Sequence, residues 1–170
     1  MSGKQRVGDL EIQQDLEFQQ REWRMQRIGW VIIALLLLAT VLGLLGSGFL
    51  SQATAGASGD PLWLEFERFA HLQAPTTVRA HVGANAGAED EVRLWLNRPY
   101  LERVEIQSIS PEPDSVEVAA GRLIYVFKVA EPNQPIEVDF YLQPTDFGRL
   151  EGQIGLDEGP SLNFNHLVYP

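Results

Sequence analysis

The chain has 170 residues, a formal net charge of −10 at pH 7 and no cysteine. Disulfide scaffolds, thiol catalysis and cysteine-based zinc sites are therefore excluded. The acidic surplus lies entirely after residue 50, because residues 1–50 contain five acidic and five basic residues. We expect that later part to repel nucleic acid and anionic lipid headgroups, so no nucleic-acid partner is predicted.

Residues 1–27 predict a cytoplasmic, amphipathic helical arm. Asp9 can cap a helix that runs to Arg27, and Ile12, Leu16 and Trp23 recur at helical spacing on one face. Three arrangements stay open for this arm. It continues into the next segment, lies on the membrane surface, or packs on a partner.

Residues 28–50 form an uninterrupted run of 23 residues without a charged side chain. At about 1.5 Å per residue, a helix of this length crosses the roughly 30 Å hydrocarbon core of a bilayer. A cleaved signal peptide would have a shorter apolar region nearer the N-terminus, and a buried soluble helix would show a polar stripe. The run therefore predicts a single transmembrane helix.

The arginines fix the predicted orientation. Arg21, Arg24 and Arg27 precede the run, whereas only Arg68 follows within about 20 residues, so the N-terminus is expected in the cytoplasm. The absence of cysteine and of N-glycosylation sequons suits a bacterial inner membrane, with the C-terminal domain periplasmic or extracellular. Four residues are predicted at the inner membrane interface: Trp23, Arg24, Arg27 and Trp30.

Small residues recur every fourth position within the predicted span, at Ala39, Gly43 and Ser47. They lie on one helix face, where small side chains allow a second helix to approach closely. This pattern predicts a helix-packing face, although small residues are common in membrane spans in general.

Residues 51–59 consist of small residues with one glutamine and predict a flexible linker. From residue 60 to residue 170, apolar and polar residues alternate in eight or nine short runs separated by turn residues. Leu62, Leu64 and Phe66 exemplify this period of two. The pattern predicts an extracytoplasmic, immunoglobulin-like β-sandwich, with a Greek-key barrel as the structural alternative.

Side chains suited to catalysis or metal binding are sparse. His71 and His81 fall on neighbouring predicted strands but lack a short metal-ligand spacing. The consecutive acids of residues 89–91 and 157–158 suit solvated loops better than a calcium site. We therefore predict no enzymatic activity, no metal and no cofactor.

Aromatic residues occupy outward positions of several predicted strands, and an exposed aromatic patch marks a binding surface. The candidate partner surface comprises Trp63, Phe69, Trp95 and Tyr141. Together these features predict a bitopic membrane protein whose sandwich and transmembrane helix bind a protein partner, either a polytopic membrane protein or an envelope complex, or another copy of the chain. Its expected role is that of an accessory subunit of a membrane or cell-envelope complex. The alternative is a tethered binding or sensing module for a small molecule or polysaccharide.

Overall fold

The computed structural model describes residues 16–41, 51–84, 91–129 and 134–170. The chain divides into two compact units, Met1–Leu38 and Ala39–Pro170. The described part of the first unit is helical, and the second unit contains the strands.

Helix α1 extends from Leu16 to Val41 without a break at the predicted boundary between arm and span. Among the described residues, none of the helices combines the length and apolar character needed to cross a bilayer. Residues 42–50 of the predicted span, including Gly43 and Ser47, lie outside the described residues, as does Asp9. The side chain of Ala39 also lies outside them, so the predicted helix-packing face stays a prediction.

Two sheets, one antiparallel and one antiparallel except for a single strand pair, pack face to face in the second unit, which confirms the prediction of an all-β sandwich. The first sheet has the strand order β1-β2-β4-β9-β6. Its strands are β1 (Gln52–Ala55), β2 (Leu62–Glu67), β4 (Thr76–Val82), β9 (Ile136–Pro144) and β6 (Val104–Ser110).

The second sheet has the order β3-β11-β10-β5-β8-β7, in which β3 and β11 pair in parallel and all other neighbours are antiparallel. Its strands are β3 (Phe69–His71), β11 (Ser161–Tyr169), β10 (Gly148–Leu156), β5 (Glu91–Asn97), β8 (Arg122–Lys128) and β7 (Ser115–Ala119). A short helix, α2 (Arg98–Leu101), connects β5 to β6.

The apolar residues at every second position of the strands form the core. In β2, Leu62, Leu64 and Phe66 are buried, while the residues between them face outward. The two sheets meet through contacts such as the edge-to-face pair of Tyr125 and Phe140, with ring centroids 5.5 Å apart. Burial of these apolar side chains is the main force holding the sheets together, since the domain has no disulfide.

The predicted flexible linker is wrong for residues 51–55. Residues 52–55 form β1, which pairs with β2 from Gln52 opposite Glu67 to Ala55 opposite Leu64. Ser51 is fully buried and Ala53 is 6% exposed, because their small side chains fit against the sandwich edge. The sandwich therefore begins at residue 51 and not at residue 60.

Candidate binding face on the first sheet

The outer face of the first sheet carries a cluster of charged side chains around Arg79. Strand pairing places Glu65, Arg79 and Asp139 side by side on β2, β4 and β9. All three positions point outward because their neighbours in sequence fill the core. Glu137 and His81 occupy the adjacent row. We call these five residues the charged centre: Glu65, Arg79, His81, Glu137 and Asp139.

Arg79 is held by carboxylates on two sides. Its Nε lies 2.6 Å from Asp139 Oδ1 and 3.0 Å from Glu137 Oε1, and a second guanidinium nitrogen lies 3.9 Å from Glu65. The hydrogen bond to Asp139 raises the pKa of Arg79 above its ordinary value, which keeps the guanidinium charged. Three carboxylates around one arginine leave this centre with an acidic surplus.

Trp63 covers one end of the charged centre. Its ring stacks on His81, with centroids 3.7 Å apart and an angle of 4° between the planes. His81 lies 3.4 Å from Glu137, and its buried Nε2 has no hydrogen-bond partner among the described residues. The stack fixes the orientation of the indole, which stays partly exposed.

Two shallow grooves flank the centre. One has a volume of about 480 Å³ and includes Glu65, Arg79 and Tyr141 in its lining. The other, about 500 Å³, includes Trp63, His81 and Glu137. Tyr141 is 38% exposed on β9, and its hydroxyl lies 3.5 Å from Asp139.

The structure brings together only two of the four predicted partner-surface aromatics. Trp63 and Tyr141 share the outer face of the first sheet, at its two ends. Trp95 lies on the second sheet, where its Nε1–H donates to the Leu156 carbonyl at 3.1 Å and its ring covers Gly155. Phe69 lies on edge strand β3, opposite Leu167.

The predicted membrane-interface residues belong to α1 and are exposed. Trp23 is 56% exposed and Trp30 65% exposed. The guanidinium of Arg27 lies 3.8 Å from the centroid of the Trp23 ring, a cation–π arrangement, and Arg24 is one residue further along the helix from Trp23.

The three histidines have separate environments. His71 packs on Tyr169 with centroids 4.0 Å apart, so it does not meet His81. His166 is fully buried, and its Nε2 lies 3.0 Å from the hydroxyl of Tyr100. Within the described ranges, no group of three or more acidic, histidine or cysteine side chains has the arrangement of a metal site.

Asp157, one of the loop acids, accepts hydrogen bonds from Arg93 at 3.1 Å and Arg122 at 2.9 Å. It therefore connects the β10–β11 turn to β5 and β8. Residues 89 and 90 of the other acidic run lie outside the described residues.

Sequence reasoning did not single out Arg79 or the buried pair of Tyr100 and His166. The outward position of Arg79 was readable from its alternation with Val78 and Ala80. The carboxylates that surround it come from two other strands, and their register is not visible in sequence. His166 alternates with buried Phe164 and Val168, which was a signal for an inward histidine.

No protein-family model and no curated protein matches this chain. Among solved structures, it is similar to the cohesin module of a family 33 glycoside hydrolase from Clostridium perfringens. The identity is 11% over 68% of this chain and 98% of that one, with a TM-score of 0.43. The seventh ScaB type I cohesin from Pseudobacteroides cellulosolvens is 10% identical over 59% of this chain and 86% of that one, with a TM-score of 0.40. These similarities concern the β-sandwich arrangement alone.

Proposed function

We propose that this chain is a non-catalytic, single-pass membrane protein whose sandwich binds a protein partner through the outer face of the first sheet. In this proposal it serves as an accessory subunit of a bacterial inner-membrane or envelope complex. The N-terminus is cytoplasmic and the sandwich extracytoplasmic.

The observation that carries the proposal is the composition of this face. Trp, Tyr and Arg dominate the binding energy of protein interfaces, and this face presents Trp63, Tyr141 and Arg79 together. The stack on His81 and the carboxylates around Arg79 hold two of these side chains in place before binding. Such preorganisation lowers the entropic cost of association.

The size of the face also suits a partner protein. Five strands about 4.8 Å apart and about seven residues long cover roughly 500 Å². A standard interface buries about 800 Å² on each partner, so this face would supply the larger part of such an interface and its neighbouring loops the rest.

Membrane anchoring is supported by the charge-free run of residues 28–50 and by the described part of α1. From Trp30 to Leu38, apolar side chains are exposed on every side of the helix, between 49% and 65% for its large members. A helix that exposes apolar residues all around requires an apolar environment. The arginines that precede the run support the orientation.

Photo-crosslinking of the full chain in membranes tests the proposal. A photoreactive residue replacing Tyr141 should capture a specific protein, whereas the same residue replacing Val116, which is 50% exposed on β7, should not. Trp63→Leu should reduce capture about tenfold or more, since loss of an interface hot spot costs at least ~2 kcal/mol.

Trp95→Leu provides the matched control, because it removes an indole from the outer face of the other sheet. Capture should be unchanged in this variant, with folding of both variants verified by circular dichroism. Equal loss of capture in both variants, or stronger capture from position 116, would refute the assignment of the partner to this face.

The groove beside Tyr141 supports a second candidate function, a tethered module for a small molecule or polysaccharide. Its volume of about 480 Å³ lies within the range of small-ligand sites, and it combines an aromatic ring with charged groups. Absence of any captured protein, together with a saccharide that raises the melting temperature of the wild type but not of Tyr141→Ala, would favour this alternative.

A further inference from the structure

The chain is fixed in the sandwich from its first described residue after the charge-free run. Ser51 is fully buried, its carbonyl accepts the Arg68 amide at 2.5 Å, and its hydroxyl donates to the Phe69 carbonyl at 3.2 Å. In sequence, Ser51 directly follows Leu50, the last residue of the run. If the span ends at Leu50, as proposed, the chain enters the sandwich with the next residue, Ser51.

One end of the sandwich surrounds Ser51. Strand pairing places the connections β2–β3, β3–β4, β5–β6, β7–β8 and β9–β10 at this end, which we call the Ser51 end. The connections β1–β2, β4–β5, β6–β7, β8–β9 and β10–β11 lie at the opposite end.

The connections at the two ends differ in charge. Those at the Ser51 end contain three arginines and two acids: Arg68, Arg98, Arg103, Glu102 and Asp146. Those at the opposite end contain five acids and no basic residue among the described ones: Asp60, Glu112, Asp114, Asp157 and Glu158. The domain as a whole is acidic and is expected to repel anionic headgroups, but its least acidic end is the one that contains Ser51, where the chain would leave the membrane.

Exposed apolar side chains occur at the same end. Phe147 is 67% exposed in the β9–β10 turn, and Leu167 is 48% exposed near the end of β11. The turn is held firmly, because the Phe147 amide donates to Asp146 at 2.9 Å and its carbonyl accepts Arg103 at 3.2 Å. A fixed turn that exposes a phenylalanine ring beside arginines combines an apolar group with basic groups, as segments that lie in the membrane interface do.

We propose that the Ser51 end rests on the membrane surface, with Phe147 among the lipid headgroups and Arg68 near the phosphates of anionic lipids. This proposal rests on the proposed membrane anchoring. The strands run from this end to the opposite one, so the outer face of the first sheet then points sideways. Its partner is accordingly an extracytoplasmic part of a neighbouring membrane protein.

The absence of cysteine allows a single fluorophore to report the distance of each end from the lipid. The full chain is reconstituted in vesicles of phosphatidylcholine with about one third phosphatidylglycerol and a small fraction of headgroup-spin-labelled lipid. A fluorophore on Thr145→Cys, in the Phe147 turn, should be strongly quenched. The same fluorophore on Glu158→Cys, at the opposite end, should not.

Variants then test the residues that carry the contact. Arg68→Gln should shift the equilibrium about fivefold toward the unquenched state, as expected for one basic residue near an anionic surface. Phe147→Ser should also reduce quenching at position 145. Lys128→Gln removes a basic residue at the far end of β8 and should leave it unchanged.

The outcomes separate the two proposals. Retention in vesicles after alkaline extraction with equal quenching at positions 145 and 158 refutes the surface contact but keeps the anchor. Strong quenching at 145 that neither Arg68→Gln nor Phe147→Ser reduces also refutes it. A chain that alkaline extraction removes from the vesicles refutes the anchoring and, with it, the contact.

Discussion

At the scale of single residues, the buried His166 makes the stability of the sandwich depend on pH. Its Nδ1 donates to the Glu67 carbonyl at 2.5 Å, so Nε2 is left to accept the Tyr100 hydroxyl, and the ring is neutral. Burial lowers the pKa of His166 to about 4, while the unfolded value is about 6.5. The unfolded chain therefore binds more protons between these values, and stability falls as the pH falls.

We expect the free energy of unfolding to decrease by up to about 1.4 kcal/mol per pH unit from this group, or about 3 kcal/mol in total between pH 6.5 and 4. Urea unfolding of the full chain at a series of pH values measures this slope. His166→Gln should be less stable at neutral pH but show a flatter dependence in this window. His71→Gln, which removes an exposed histidine, should retain the wild-type slope, and an equally steep slope in His166→Gln would contradict the prediction.

At the scale of the strands, the pairing of β10 with β11 depends on a glycine beneath an aromatic ring. Gly152 lies opposite Phe164, and a Cβ at this position would overlap the Phe164 ring. The ring cannot move aside easily, because it packs against Tyr100 and Phe66 at centroid distances of 5.0 and 5.7 Å. Gly152→Ala should therefore destabilise the sandwich by about 1–3 kcal/mol, measured by urea unfolding.

Gly83 offers the matched control for this substitution. A Cβ there would lie 3.5 Å from its nearest neighbours, which is an ordinary van der Waals contact. Gly83→Ala should change stability by no more than about 0.5 kcal/mol. Comparable stability of Gly152→Ala and the wild type would show that the Phe164 ring can repack without cost.

Also at this scale, alternation in the sequence was sufficient to predict the strands with several apolar residues but not β1. Strands β2, β4, β5, β8 and β9 contain three or more apolar residues at every second position, and that pattern predicts a half-buried strand. Strand β1 consists of Gln, Ala, Thr and Ala, a composition that equally suits a linker. Its place in the sheet comes from backbone pairing with β2 and the burial of one small side chain, neither of which has a sequence period.

For the candidate site, the sequence predicted which side chains of a strand point outward but not which strands lie side by side. The alternation of inward and outward positions along β2 and β9 correctly predicted that Trp63 and Tyr141 lie outside the core. The same alternation predicted an outward position for Trp95, but it does not show that β5 belongs to the other sheet. The charged centre depends on the register of β2, β4 and β9, and the pairing of β4 with β9 joins residues about 60 positions apart, such as Arg79 and Asp139.

At the scale of the whole molecule, the edge strands of the sandwich differ in their stability against local opening. Strands β1 and β7 are both short edge strands, each paired with a single neighbour. At β1, Ser51 and Ala53 are buried, whereas β7 contains no buried residue and Val118 is 78% exposed. Local opening of β7 therefore exposes less new apolar surface and costs less free energy.

Hydrogen exchange of the native full chain, followed by mass spectrometry, should rank these elements. We expect peptides from β4 and β9, at the centre of the first sheet, to exchange slowest, because one face of these strands lies on the core and both of their edges are paired with neighbouring strands. Peptides covering 51–56 should be intermediate, and those covering 114–120 at least about tenfold faster than 51–56, which corresponds to a difference of ~1.4 kcal/mol in opening free energy. If residues 51–56 instead exchange as fast as an unfolded peptide, β1 is not stably paired. Residues 51–56 would then act as a flexible connection between the proposed span and the sandwich, and the Ser51 end could leave the membrane surface.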